Sequence, residues 1–188
     1  KERGIENILA LRGDIPTNTD FPLPDQYHHA IELIREIKEA GDFCIGGACY
    51  PEGHPEAANM NADLDHLKEK VDAGCEYLTT QMFFDNEKYY AFVDRCRAEG
   101  ITVPIIPGIK PIVFKNQLTV LPKIFRSDIP EPFATELRKC KTDDEAKAVG
   151  VEWCIQQCKD LIAHGVPSLH FYTMMASDSV YKVAKEVY

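Results

Sequence analysis

The feature that most constrains this chain is a phrase that occurs four times: a helical stretch closes on a glycine, and an apolar run follows at once. Ala40-Gly41 precedes DFCIGGA, Ala73-Gly74 precedes CEYLTTQ, Glu99-Gly100 precedes ITVPIIP, and His164-Gly165 precedes VPSLHFY. Glycine suits that place because the residue after a helix often adopts a left-handed conformation that only glycine enters without steric cost. The stretches before the glycines carry one apolar face, with Ala30, Leu33, Ile34 and Ile37 in the first and Phe92, Val93 and Cys96 in the third. A longer helix opens on Thr142-Asp143-Asp144-Glu145, a capping box, and its period turns Val151, Cys154, Ile155, Cys158, Leu161 and Ile162 inward. The runs that follow, together with ILALRGD at residues 8–14 and the short run at 104–107, are nearly continuous in apolar residues. Strands buried on both faces have that composition, which points to a parallel sheet covered by helices.

Five such strands alternate with helices, and a last helix spans about residues 177–187. The class is therefore α/β by βα repetition. There is no Gly-x-Gly-x-x-Gly fingerprint and no Walker A loop, so a dinucleotide-binding doubly wound sheet has no direct support. The better candidate is a (β/α)8 TIM-type barrel, which needs eight strands and typically about 250 residues. The 188 residues supply five. The expectation is one partial barrel domain over residues 1–188, holding the last five βα units, with roughly three units preceding it.

Composition narrows the function. A chain of 188 residues that is 45% hydrophobic can bury a sizeable core. A formal net charge of −9 argues against attraction to nucleic acid backbones or to an anionic membrane surface. Seven cysteines, an odd number with no CxxC pair, lie in apolar segments and point to a reducing, cytoplasmic compartment. No run approaches the roughly 20 apolar residues that span a bilayer, and the opening KERGIEN is too polar for a signal peptide. A zinc site around Cys49 and His54 fails on spacing, because no second Cys or His pair stands at ligand distance.

In parallel barrels chemistry gathers at the carboxyl ends of the strands. The polar residues there are Arg12-Gly13-Asp14, then Tyr50 to Glu56, then Thr80-Gln81 leading into Met82-Phe83-Phe84-Asp85, then Gly108-Ile109-Lys110, and last His170-Phe171-Tyr172-Thr173. Five segments in order, ALRGD, YPEGHPEA, KVDAG followed by TQMFFD, IIPGIKPI and HFYT, resemble the methylenetetrahydrofolate reductase family from the first residues to about Thr173.

That resemblance implies a (β/α)8 barrel that binds FAD. Such an enzyme takes a hydride from NADH or NADPH onto the flavin and delivers it to 5,10-methylenetetrahydrofolate, giving 5-methyltetrahydrofolate. It also implies a cytoplasmic enzyme, and a homo-oligomer is compatible with it. By resemblance Asp14 lies beside flavin and folate, where its charge would tune hydride delivery. Arg12, Gly13, Asp14, Ala30, Tyr50, His54, Ala57, Asp63 and Lys70 face the cofactor. Asp14, Gln81, Gln117 and Tyr172 face the folate.

Each residue also has a plainer reading. Gly13-Asp14 forms a turn after a strand. Arg12 makes a surface ion pair. Asp63 and Lys70 belong to a solvated helix, Gln81 is a buried amide satisfied by backbone, and Tyr172 is core. The chain also departs from the family. His66 and Glu69 stand where some members carry an asparagine and a basic residue. Met174-Met175-Ala176 follow HFYT where an asparagine and a folate-tail arginine are common. The family's general acid, a glutamate on the first strand, has no counterpart here, so the piece alone is expected to be inactive. The alternatives are a folate- or pterin-binding barrel methyltransferase without flavin, and a non-catalytic binding fragment. An adhesion reading of RGD is opposed by its place at the end of an apolar strand and by the cysteine usage.

Overall fold

In a computed structural model, residues 2–13 and 27–188 are described; Asp14 lies outside them. Strands β1 (Asn7–Ala10), β2 (Cys44–Cys49), β3 (Cys75–Thr80) and β4 (Ile105–Ile106) form one parallel sheet in chain order, and β5 (Gly108–Ile109) pairs in parallel with β6 (His170–Phe171). Between them run α1 (Ala30–Ala40), α2 (Met60–Asp72) and α3 (Asn86–Ala98), one after each of the first three strands. After β5 come α4 (Gln117–Phe125), α5 (Glu131–Lys139) and α6 (Asp143–Ala163), and α7 (Ser177–Val187) follows β6. This is the order of a partial (β/α)8-type barrel.

The fourth apolar run differs from its expectation. It extends past 104–107 and is divided at Pro107, which has no N–H for a ladder. Its first half pairs with β3 and its second with β6, so the strand joins two sheets. Across the division the Gly108 N–H donates to the Thr80 hydroxyl at 2.8 Å, and His170 N–H donates to Pro107 O at 3.0 Å. Pro107 and Thr80 thus meet where the two sheets join.

The main core lies between sheet and helices: Cys49, Leu78, Ile105 and Ile109 from the strands meet Leu64, Leu67, Phe92, Cys96, Cys154, Cys158 and Leu161 from α2, α3 and α6. Burying one side chain of this size stabilises by about 1.5–3 kcal/mol. A second cluster sits at the carboxyl ends, where Met82, Phe84 and Ile112 pack under Leu121, Phe133, Leu137 and Ala146 of α4, α5 and α6. Gly150 lets α6 close on the chain after β5, since a Cβ there would stand 1.9 Å from Ile112 O.

The capping box of α6 is present, with Thr142 accepting from Glu145 N–H. Cys154, Ile155, Cys158 and Leu161 are buried as the period requires, but Ile162 is 40% exposed although Leu161 beside it in the same turn is fully buried. Gly74, Gly100 and Gly165 take positive φ, whereas Gly41 has φ 161° and is extended, so the glycine rule holds at three of its four places. Burial on both faces fails for β1: Leu9 and Leu11 are exposed, as befits a strand with a partner on one side only among the described residues. All seven cysteines are free thiols. Among the described residues no helix is long and apolar enough to cross a membrane.

Candidate active site at the strand ends

Two groups of side chains gather where the strands end. The first is built by the loop from β2 to α2. The peptide N–H of His54 donates to Asp63 Oδ2 at 2.9 Å, and the N–H of Glu56 donates to His54 Nδ1 at 3.1 Å. Because Nδ1 accepts, the neutral imidazole carries its proton on Nε2 and presents a donor there. Burial pulls the His54 pKa below its ordinary value, against the pull of Asp63 and Glu56, which favours that neutral form. Its ring meets Tyr50 edge to face, with centroids 4.6 Å apart. Ala57 closes the turn by donating its N–H to His54 O.

Lys70 comes from the next turns of α2 and donates to Ala48 O at 2.8 Å. A lysine has three donors, so two remain for an anion. Burial lowers its pKa, with Cys49 and Asp63 pulling the other way. Arg12 reaches this loop from the end of β1. It holds Glu56 in a two-point bond at 2.8 and 2.9 Å, which is the ion-pair reading. That pairing pulls the Glu56 carboxyl below its usual range. Gly13 follows with φ 82°, a conformation that only glycine takes freely. Ala30 opens α1, half-buried. His66 and Glu69 are exposed on α2.

The second group comes from three strand ends. Gln81 prolongs β3 and is tied to β2 by its N–H on Cys49 O at 2.8 Å, while its side-chain oxygen accepts from Met82 N–H. The acceptor is used locally and the amide NH2 is left for a ligand. Tyr172 crosses from β6 to donate to Thr80 O at 2.8 Å, and burial raises its pKa to about 12. It passes directly over Gly108, where a Cβ would stand 2.6 Å from the ring. Gln117 opens α4 and turns its side-chain oxygen back onto Val113 and Phe114 N–H at 2.8 and 3.2 Å, again leaving the NH2. Asp14 falls outside the described residues.

Four contributors stand among the strand-end residues of the sequence but were given no role there. Glu56 sits inside YPEGHPEA, two residues from His54, and only the fold shows its partner. Gly108 and Thr80 support Tyr172, and the proline-glycine pair at 107–108 was the available signal. His170, half-buried, meets Tyr172 edge to face at 4.7 Å, and burial lowers its pKa. Among the described residues no three His, Cys, Asp or Glu side chains stand close enough together to hold a metal ion.

A parallel βα wall with donors and acceptors gathered at its carboxyl ends defines a (β/α)8-type domain, with its candidate site where such barrels carry their chemistry. Comparison with known proteins gives the family. The sequence profile of methylenetetrahydrofolate reductase matches residues 1–188, and the chain belongs to that family. It is 41% identical over 191 residues to a probable methylenetetrahydrofolate reductase (NADPH) of Caenorhabditis elegans, covering 100% of this chain and 29% of the relative. It is 42% identical over 183 residues to 5,10-methylenetetrahydrofolate reductase of Pectobacterium carotovorum, covering 97% of this chain and 60% of the relative. The chain thus spans between 29% and 60% of the length of these relatives. Among solved structures, a Clostridium thermocellum protein described as binding two copies of 5-methyl-5,6,7,8-tetrahydrofolic acid shares the fold, with TM-score 0.53 at 18% identity, over 80% of this chain and 56% of that one.

Proposed function

We propose that this chain is the cofactor- and folate-binding part of a reductase that converts 5,10-methylenetetrahydrofolate to 5-methyltetrahydrofolate with NADH or NADPH through bound FAD. The observation that carries the reading is the arrangement around Tyr50, His54, Asp63 and Lys70. In one loop and one helix it offers an aromatic edge, an Nε2–H donor, a carboxylate and a half-buried ammonium with two uncommitted donors. That donor set fits a dinucleotide: the ammonium suits a diphosphate, the carboxylate suits ribose hydroxyls, and the imidazole donor suits either. FAD bound there would supply the hydride relay between nicotinamide and folate.

The chain's own residues position the reactants. The free amide donors of Gln81 and Gln117 would present hydrogen bonds to a pterin edge, and Tyr172, fixed by Thr80, would offer its ring as a wall of the same pocket. Asp14 is assigned to flavin and folate on sequence alone. The names of relatives include both NADPH and NADH forms, in Caenorhabditis elegans and Arabidopsis thaliana, so either nicotinamide fits the reading. Arg12 is proposed to meet the cofactor through the same loop, by way of Glu56. Ala30 and Ala57 are proposed to contact it by packing, and Gly13 by close approach of its backbone.

The test is made on the full-length protein that contains this chain. It should purify with the absorbance of oxidised flavin, which NADH or NADPH bleaches and methylenetetrahydrofolate restores. A colourless protein that transfers methyl groups from methyltetrahydrofolate would establish the flavin-free methyltransferase instead. The 188-residue piece alone should show no turnover, and clear turnover by it would refute that part.

A further inference from the structure

A groove of about 440 Å³ lies on the far side of the β2 loop, between α3 and the turn that follows α4. Met60, Ala91 and Phe92 give it an apolar side, and Lys88, Arg95 and Arg126 give it three cations. Glu52 and Asp128 also line it, but both are bound to Lys88, with Glu52 Oε1 at 2.5 Å. Asp128 N–H donates to the same Glu52 oxygen at 3.0 Å. Neither Arg95 nor Arg126 makes an ion pair or a side-chain hydrogen bond among the described residues. The groove is therefore net positive in a chain whose formal net charge is −9.

Arg126 is also held in a conformation that its side chain does not favour. It follows α4 with φ 55°, ψ 26°, a place that glycine or asparagine usually takes, and its N–H donates to Pro122 O. Its neighbours are fixed: Ser127, 1% exposed, donates its hydroxyl to Met82 O at 2.6 Å, and Asp128 is tied to Glu52. Arg126 thus lines the groove from the turn after α4, and Arg95 lines it from the last turns of α3. Each guanidinium offers a planar fork that matches two oxygens of a carboxylate or phosphate.

We propose that this groove binds a small anion of two or more negative charges, held between Arg95 and Arg126 with its carbon skeleton against Met60 and Ala91. The site is distinct from the candidate active site and does not depend on the reductase reading. It adjoins that site nonetheless, because Met82 follows Gln81 and Glu52 stands two residues after Tyr50.

The test uses calorimetric titration of the full-length protein with citrate and, separately, with inorganic phosphate, at constant ionic strength. Saturable binding of citrate alone assigns carboxylate chemistry, of phosphate alone assigns phosphate esters, and of both assigns charge recognition. Arg126→Gly separates binding from folding: it removes the fork at a position whose backbone suits glycine, so the melting temperature should hold or rise while affinity falls at least tenfold. Arg95→Gln should weaken binding as well. No saturable binding of either anion in the millimolar range, or an Arg126→Gly protein that binds as tightly as the parent, would overturn the proposal.

Discussion

The two halves of the candidate site are built in opposite ways. On the cofactor side most bonds are local: Glu56 to His54 spans two residues, His54 to Asp63 nine, and Lys70 to Ala48 22. One loop and one helix contain nearly all of it. On the proposed folate side Gln81 and Gln117 also bond locally, but the bonds that fix Tyr172 reach across the fold, from Gly108 to Thr80 over 28 residues and from Tyr172 to Thr80 over 92. A half made from neighbours keeps its shape when the sheet shifts a little, whereas a half made from three strand ends depends on the spacing of those strands.

The sharpest way to break this contrast is to add one methyl group at Gly108 on the folate side and one at Gly46 in β2, the strand that leads into the cofactor loop. Gly108→Ala would put a Cβ 2.2 Å from the backbone oxygen of Thr80 and 2.6 Å from Tyr172. Backbone cannot give way cheaply, so a loss of about 2–3 kcal/mol is expected in urea unfolding. Gly46→Ala looks equally crowded, with Tyr77 ring atoms at 2.3 to 2.6 Å, but every obstacle there belongs to one partly exposed side chain that can swing aside. Its cost should stay below about 1 kcal/mol. Equal losses would show that strand spacing is no more critical on one side than on the other.

Lys70→Met tests the cofactor side in a different currency, affinity. The ammonium is partly desolvated and has one backbone acceptor, so replacing it with an apolar chain of similar length should leave the melting temperature unchanged or raise it. Flavin retention should fall about tenfold, equivalent to about 1.4 kcal/mol. Unchanged flavin affinity in the full-length variant would remove Lys70 from the diphosphate site.

The same contrast explains what the sequence made legible. The βα order, the α6 capping box and the face of α1 follow from local periodicity and capping, and they are visible in the residues themselves. So was the loop around Tyr50 and His54, because its partners lie within one motif. The division of the fourth strand was hidden, since Pro107 looks like an ordinary strand end until β6 is in place. The Arg12–Glu56 bond was hidden for the same reason: nothing in 44 residues of separation tells which of 30 carboxylates meets that arginine. Ile162 shows the converse, a residue with the right period that stays 40% exposed beside a fully buried Leu161, so the period alone did not mark the edge of the buried face.

Tyr172→Phe measures the longest bond directly. It removes one hydroxyl that donates to Thr80 O and leaves the ring over Gly108, so a loss of about 1 kcal/mol is expected, read from urea unfolding. In the full-length protein both KM for the folate and kcat should stay close to those of the parent if the ring alone forms the wall. A fall in kcat with KM unchanged would instead give the hydroxyl a part in the chemistry.

The smallest effect expected belongs to the exposed edge of the cofactor loop, and pH separates its two groups. His54 titrates below its ordinary value of 6.5 in the folded chain, so the unfolded chain takes up a proton first as the solution is acidified. Stability is therefore full above about pH 6.5 and declines as pH falls toward the folded-state pKa. Protonation there also removes the Nδ1 acceptor that holds Glu56 N–H. Glu56 has its own lowered pKa, from Arg12, so its contribution persists above its ordinary 4.5 and is lost only at lower pH. Glu56→Gln should cost less than about 1 kcal/mol at neutral pH, since the carboxylate is 47% exposed and water screens the pair. His54→Ala should flatten the stability profile between neutrality and pH 5 while leaving the Glu56 limb in place. If the profile keeps its slope without His54, the neutral imidazole assigned to the cofactor side is wrong, and the Nε2–H donor goes with it.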